Sequence, residues 1–218
     1  MKHCSRYGFS EFVIALVYRS EVIKRWFLDM AELDGGFTLS VRDRQVVRHD
    51  RPIDDWKLQL RDTGVDTQTG GRLARLAPLL RDGTLVLTRG DGVSNVDLKE
   101  LLAFHRSHGR LATVTAVRPP ARFGAREFDG DHVKRFAEKP QIGQGWINGD
   151  FFVLKPGVLD LIPGDARWEC VPLVRLAAAG QLMAYKHASF WQSMDTLRDK
   201  HLLESLWSCG YPPWKVWP

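Results

Sequence analysis

A chain of 218 residues with 44% hydrophobic content is long enough to bury a substantial core, and a single globular domain over 1–218 is expected. No apolar run reaches the length of a bilayer span, and the opening MKHCSRYGFSEF has neither a long apolar region nor a small-residue cleavage site, so membrane insertion and export are not indicated and a cytoplasmic protein is expected. The net charge of +5 could suggest nucleic acid, but the arginines are scattered among acids with no basic run, and an anionic small substrate explains the excess equally well; Cys4, Cys170 and Cys209 are odd in number and form no CxxC pair, which argues against a disulfide framework or a zinc site.

Phe12 to Tyr18 (FVIALVY) is a short continuous apolar run of the kind a sheet buries on both faces, and it reads as a central parallel strand. Glu21 to Met30 places Val22, Ile23, Trp26 and Phe27 at helical spacing, and Asp34-Gly35-Gly36 supplies the turn that closes a β-α unit. Phe37 to His49 alternates through Leu39, Val41 and Val46 and reads as a strand or an edge hairpin. Leu58 to Leu80 is a polar, turn-rich segment opening into a helix whose apolar face is Leu73, Leu76, Leu79 and Leu80. Two readings fit its entry. Backbone N–H groups at Gly70-Gly71, with Arg72 and the hydroxyls of Thr67 and Thr69, make an anion cradle, or the segment is an ordinary glycine turn with Thr69 as the helix cap.

Leu85 to Asn95 (LVLTRGDGVSN) passes from an apolar strand to a carboxylate, Asp91, bracketed by Gly90 and Gly92, and helical spacing resumes from Asp97 to His108. In open α/β sheets ligands bind beyond the carboxyl ends of the strands, which makes Asp91 a candidate for a hard cation such as Mg²⁺. The competing reading is a turn aspartate, because Asp-Gly is also a hairpin signal. Leu111 to Val117 is a further strand, and Pro119 to Gly124 (PPARFG) is a rigid turn. Val133 to Pro140 leaves Glu138 and Lys139 at a strand end, either facing a polyol and its phosphate or forming a solvated pair. Gly149 to Leu154 is a strand with Asn148 at its start, Trp168 to Ala179 is helical, and Leu182 to Tyr185 is a last strand. Asp195 is either the cap of the helix that follows or, with Asp91, half of a two-carboxylate site for Mg²⁺-dependent phosphoryl or nucleotidyl transfer. His105 and His108 lie on one helix without a third ligand and suit packing or surface roles.

RDTGVDTQTGGRL, GDGVSNVDLKELLAFHRSHG, PPARFGA, FAEKP, INGDFFVL, WECVPL and FWQSMDTLRDKHLLESLW follow one another in the order of the motifs of bacterial glucose-1-phosphate cytidylyltransferases, and the chain resembles that family from Met1 to its end. The resemblance implies an α/β fold, a Rossmann-like mixed and mostly parallel sheet flanked by helices, of the nucleotide-diphospho-sugar transferase type. It also implies an activity: joining CTP to glucose 1-phosphate with release of pyrophosphate, to give CDP-glucose for deoxysugar and O-antigen synthesis. Carried over residue by residue, it makes Asp91 and Asp195 the Mg²⁺ carboxylates and gives Arg72 a catalytic part as a phosphate clamp. It sets Thr67, Arg72 and Gly90 against the nucleotide and Glu138, Lys139 and Asn148 against the sugar phosphate. Related enzymes assemble as homo-oligomers, so the same is expected here.

The departures are as informative. The family's opening strand, its LAGGxGTRL loop and its KPKP segment do not occur, and Met1 aligns inside the helix that follows them. The difference is about forty residues, the size of a β-α unit with its connecting loop. A neighbour of the Phe12–Tyr18 strand and a phosphate-binding loop are therefore expected to be missing. Val17, Arg19 and Ser20 stand where the family tends towards GYKG, and Asp150 stands where it has a second glycine in NGGF. Three readings stay open: an active cytidylyltransferase whose start lies further upstream, a fragment that binds sugar phosphate or a homologous subunit, and a metal-dependent glycosyltransferase centred on Asp91.

Overall fold

A computed structural model describes residues 1–33, 35–49, 54–118, 125–129, 132–137 and 145–218. In chain order the elements are α1 (Lys2–Ser5), β1 (Glu11–Leu16), α2 (Ser20–Leu33), β2 (Gly36–Ser40), β3 (Gln45–His49), β4 (Lys57–Asp62), α3 (Thr69–Leu80), β5 (Leu85–Thr88), β6 (Gly92–Ser94) and α4 (Leu98–His108). They continue with β7 (Ala112–Val117), β8 (Ala125–Asp129), β9 (His132–Ala137), β10 (Ile147–Leu154), a 3₁₀ helix (Pro156–Leu161), α5 (Val171–Ala178), β11 (Leu182–His187), β12 (Trp191–Ser193) and α6 (Leu197–Ser208). No helix among the described residues is long and apolar enough to cross a membrane.

A four-stranded sheet in the order β11-β7-β10-β5 forms the centre. β7 and β11 are parallel, and β10 runs antiparallel to both of its neighbours, so β5, β7 and β11 point one way and β10 alone is reversed. The uninterrupted apolar run Phe151 to Leu154 is explained by burial on both faces, since successive side chains of a strand point to opposite sides. Phe152 and Leu154 pack with Leu73, Val158, Trp168 and Leu176, on the side of α3, the 3₁₀ helix and α5. Phe151 and Val153 pack with Val96, Leu98 and Leu101 on the side of α4, where Tyr7 and Phe9 also lie. Each fully buried side chain of this size contributes about 1.5–3 kcal/mol, so β10 is a principal source of stability. β7 alternates in the same way: Ala112 and Val114 join the first cluster, while the buried Thr113 hydroxyl meets His105 of α4.

α4 is bounded by local chemistry. The Asp97 side chain accepts hydrogen bonds from Lys99 N at 2.8 Å and Glu100 N at 3.0 Å, and Gly109 ends the helix with φ 69°, a conformation glycine adopts without Cβ cost. α5 starts at Val171, three residues after the expected Trp168, because Pro172 has no N–H to give and belongs in a first turn.

Phe12 to Tyr18 is a strand but not a central one. β1 pairs, in parallel, with β4 alone among the described strands, its residues are mostly half-buried, and Tyr18 is exposed. Its apolar run records what the strand can bury, not what covers it. The edge of β4 away from β1 and the edge of β5 away from β10 pair with no described strand. α2 is amphipathic in sequence, yet none of its residues is buried, and Val22 and Trp26 lie in the open at 56% and 58% exposure. Phe37 to His49 forms the antiparallel hairpin β2-β3. Lys57 to Asp62, inside the region read as turn-rich, is a strand because Leu58 and Leu60 alternate with polar residues and β1 offers a parallel partner. The turn expected at Pro119 to Gly124 lies outside the described residues, as do Glu138 and Lys139.

Candidate active site

The reversal of β10 brings its first residues to the edge where β5, β7 and β11 end. At that edge β5 is followed by Arg89, Gly90 and Asp91, and the chain then leaves the sheet as β6. β6 pairs not with β5, as an Asp-Gly hairpin would require, but antiparallel with β12, with Gly92 opposite Ser193 and Ser94 opposite Trp191. One further bond prolongs this ladder, Met194 N donating to the Asp91 carbonyl at 2.7 Å, so Asp91 and Asp195 stand one residue apart across it. The Asp195 carboxylate accepts a hydrogen bond from Ser193 Oγ at 2.9 Å. Asp195 is not the cap of α6: Thr196 is, in a capping box with Asp199. The loop before β12 is fastened as well. Ser94 Oγ donates to the Phe190 carbonyl at 2.9 Å, and His187 Nε2 lies 3.1 Å from Asn95 Oδ1 and 3.2 Å from that carbonyl.

Three acids, Asp91 among them, surround Arg89. Arg89 lies 3.7 Å from Asp91, 3.7 Å from Asp150 and 3.5 Å from Glu169. Asp150 has φ 61°, in the left-handed region, and is tied to Asn148 in both directions: Asn148 Nδ2 donates to Asp150 Oδ1 at 3.0 Å and Asp150 N donates to Asn148 Oδ1 at 2.9 Å. Burial pushes the Asp150 carboxyl above the usual range; Arg89 opposes this, while the charges of Asp91, Glu169 and Asp195 add to it. Gly149 must be glycine, because a Cβ would come within 2.6 Å of Val117. Asp91 Oδ1 is buried without a hydrogen-bond partner, an arrangement that suits a cation ligand. No group of three or more His, Cys, Asp or Glu among the described residues is placed to hold a metal by itself. A hard cation at this edge would therefore draw on Asp91 and Asp195 together with substrate oxygens, as Mg²⁺ sites commonly do.

The anion cradle at the start of α3 is corrected by the structure. Gln68 N donates to the Asp165 carboxylate at 2.9 Å, and Gly70 N and Gly71 N donate to the Ala166 carbonyl at 2.9 and 3.2 Å, so the chain's own loop takes these N–H groups. The glycines are there for that close approach: a Cβ on Gly70 would lie 2.6 Å from Ala166 O, and one on Gly71 would overlap Asp165. The cap is Gln68 rather than Thr69, whose hydroxyl donates to Glu169 Oε2 at 2.8 Å and accepts from Trp168 N at 2.9 Å. Thr67 is buried with its hydroxyl on the Thr63 carbonyl. Its own carbonyl accepts from Arg72 Nε at 3.0 Å, which fixes the guanidinium while its outer nitrogens carry no hydrogen bond among the described residues. Beside Gly90 the space is open.

Asp91, Asp195 and Asn148 thus share one edge. Arg72 and Thr67 sit at the start of α3, joined to it through Thr69, Glu169 and Arg89. Arg89 and Glu169 were missed by the sequence reading, although both fall inside stretches it singled out, LVLTRGDGVSN and WECVPL. His105 is a core residue, 1% exposed, with Nδ1 2.8 Å from Thr113 Oγ1.

Residues 3–170 match the family model described as nucleotidyl transferase. Over 219 aligned residues, covering all of this chain and 85% of each relative, the chain is 44% identical to the glucose-1-phosphate cytidylyltransferase of Salmonella typhi and 37% identical to the probable glucose-1-phosphate cytidylyltransferase of Bacillus subtilis. Among solved structures, HddC from Yersinia pseudotuberculosis is similar with a TM-score of 0.64 at 17% identity, over 93% of this chain and 80% of that one. A putative glucose-1-phosphate thymidylyltransferase from Bacillus anthracis is similar with a TM-score of 0.61 at 12% identity, over 94% and 79%. At those identities the structures speak for the α/β fold alone. With a family model covering most of its length and its whole length aligned to 85% of each of these relatives, the chain belongs to the nucleotidyl transferases and, within them, to the glucose-1-phosphate cytidylyltransferase family.

Proposed function

We propose that the chain transfers the cytidylyl group of CTP to glucose 1-phosphate, giving CDP-glucose and pyrophosphate, as a cytoplasmic step in nucleotide-sugar supply for deoxysugar and O-antigen synthesis. The observation that carries this reading is the meeting of Asp91 and Asp195 across the β6-β12 ladder, with a buried Asp91 oxygen left unpartnered. A phosphate oxygen of the sugar attacks the α-phosphorus of CTP in line, the bond from that phosphorus to the bridging oxygen breaks, and pyrophosphate leaves. No covalent nucleophile is needed, because positioning and charge neutralisation suffice. Asp91 and Asp195 would hold Mg²⁺, which supplies neutralisation of phosphate charge and orientation of the leaving group. Arg72, anchored through Nε, offers its free edge to a phosphate, a task that suits a planar fork. Asn148 orients the Asp150 carboxylate on the sugar side, and Glu138 and Lys139 complete that side by the resemblance.

The test is to incubate the purified protein with Mg²⁺, one of CTP, UTP, dTTP or GTP, and glucose 1-phosphate or mannose 1-phosphate, following pyrophosphate and nucleotide sugar. CDP-glucose as the main product supports the reading. Preference for another nucleotide or sugar, or binding of glucose 1-phosphate without turnover, overturns it. We also propose a homo-oligomer, since α2 and β2-β3 expose Val22, Ile23, Trp26, Phe37 and Leu39, more apolar surface than a lone domain usually leaves in water. A monomeric mass by light scattering at micromolar concentration would refute that.

A further inference from the structure

The carboxyl edge of the sheet carries a cation of its own. Arg89 directly follows β5, and its guanidinium faces carboxylates from three separate segments: Nη2 is 3.7 Å from Asp91 Oδ2, while Nη1 is 3.7 Å from Asp150 Oδ1 and 3.5 Å from Glu169 Oε1. These separations exceed those of direct charge-assisted hydrogen bonds, so the guanidinium is shared among three anions and locked to none. Each anion leads to a different part of the site. Asp91 is a carboxylate of the proposed cation site and keeps one buried oxygen without a partner. Asp150 is hydrogen-bonded to Asn148. Glu169 accepts from Thr69, the first residue of α3, whose first turn also carries Arg72. The Arg89 side chain is 48% exposed, whereas that of Asp150 is only 13% exposed and held by Asn148.

We propose that Arg89 is a positioning residue, the resident counter-cation of this edge. Without a divalent ion it draws Asp91, Asp150 and Glu169 together, and it yields Asp91 when the ion binds. Cation binding is thereby coupled to the sugar side through Asp150 and to the nucleotide side through Glu169. The proposal rests on the reading of Asp91 as a metal carboxylate. Its physical content is a competition: a fixed unit charge beside Asp91 repels an incoming divalent ion and must be displaced, so removing that charge strengthens binding of the ion alone. Even with the full screening of water, one unit charge about 6–8 Å from a divalent ion changes its affinity by about five- to tenfold.

The probe is Mn²⁺ alone, titrated into metal-free protein without nucleotide and followed by the electron paramagnetic resonance of the free ion. Arg89→Gln and Arg89→Met are each expected to bind Mn²⁺ about five- to tenfold more tightly than the parent, with Arg89→Lys close to the parent. The two neutral variants are also expected to melt lower than the parent without Mn²⁺ and to gain more from it, since the stabilisation a ligand gives rises with the logarithm of its affinity. Asp91→Asn is the control for the underlying reading and should weaken Mn²⁺ binding. If it does while Arg89→Gln and Arg89→Met bind Mn²⁺ no more tightly than the parent, the counter-cation role is wrong and the metal assignment stands. If Asp91→Asn binds Mn²⁺ like the parent, the metal assignment itself is wrong and the proposal goes with it.

Discussion

Protonation of His105 should set the acid limit of this fold. The ring is 1% exposed on the buried face of α4, its Nδ1 lies 2.8 Å from Thr113 Oγ1, and its Nε2 has no hydrogen-bond partner. His108 Nε2 approaches the same hydroxyl at 2.8 Å; the hydroxyl has one proton, so it donates to one imidazole and accepts from the other. Burial, with smaller contributions from His108, Lys155 and Arg106, pushes the His105 pKa down from 6.5 to about 4. A depressed folded pKa means that the unfolded chain takes up the proton first. The stabilisation is therefore complete above pH 6.5 and is lost as pH falls from there towards 4. Each pKa unit corresponds to about 1.4 kcal/mol, so about 2 kcal/mol is lost by pH 5 and about 3 kcal/mol by pH 4, a sizeable share of a net stability of about 5–15 kcal/mol. Urea unfolding of the parent and of His105→Leu at pH 7.5, 6 and 5 measures this. The variant starts from a different stability at pH 7.5, but its decline to pH 5 should be shallower by about 2 kcal/mol. Parallel declines in the two proteins would show that His105 is not the group being protonated.

The remaining predictions concern the site. Asp91→Asn and Asp195→Asn should each remove most Mg²⁺-dependent pyrophosphate release while leaving the melting temperature near that of the parent, because each takes one charge from a two-carboxylate site; near-normal turnover in either rejects the metal assignment. Lys139→Ala should raise the KM for glucose 1-phosphate well above any change in that for CTP, and an equal change in both removes Lys139 from the sugar side. Gly71→Ala forces a Cβ onto Asp165 and should cost about 1–3 kcal/mol in urea unfolding, whereas Gly83→Ala, with no atom near its Cβ, should stay within about 0.5 kcal/mol of the parent. In an Asp165→Ala background the cost of Gly71→Ala should shrink, and an undiminished cost would mean that the clash is not with that carboxylate.

What could be read from the sequence is what nearest neighbours decide. Gly149 to Leu154 announces a short apolar strand, and apolar residues at helical spacing from Asp97 to His108 announce α4, because in each case the signal and the structure lie within one strand or one helix. β4 escaped notice because KLQLRD becomes a strand only when β1 lies alongside it, more than forty residues earlier in the chain. β6 and β12 are three residues each, too short to carry a period, and they exist because they pair with each other across nearly a hundred residues. α2 misled in the opposite sense: its periodicity is genuine, yet nothing among the described residues covers its apolar face.

The site divides along the same line, and the division says how it must work. Asp91 is visible in the sequence because two glycines isolate a carboxylate at a strand end. The glycine pair at the start of α3 looks like a phosphate cradle, but both glycine N–H groups donate to the Ala166 carbonyl and that of Gln68 to Asp165, almost a hundred residues away, a partnership no local pattern encodes. Arg89, Asp150 and Glu169 are ordinary surface charges until three segments bring them together. Once assembled, the edge holds three carboxylates, Asp91, Asp150 and Glu169, around the one guanidinium of Arg89 among the described ion pairs. A nucleoside triphosphate and a sugar phosphate are both polyanions, and such an edge repels them until its charge is offset. With the N–H groups of Gln68, Gly70 and Gly71 already taken, the offset falls to side-chain cations such as Arg72 and to the divalent ion proposed at Asp91 and Asp195. Substrate and cation should therefore bind interdependently, each weakly alone, and this follows from the placement of charges before any step of the chemistry is considered.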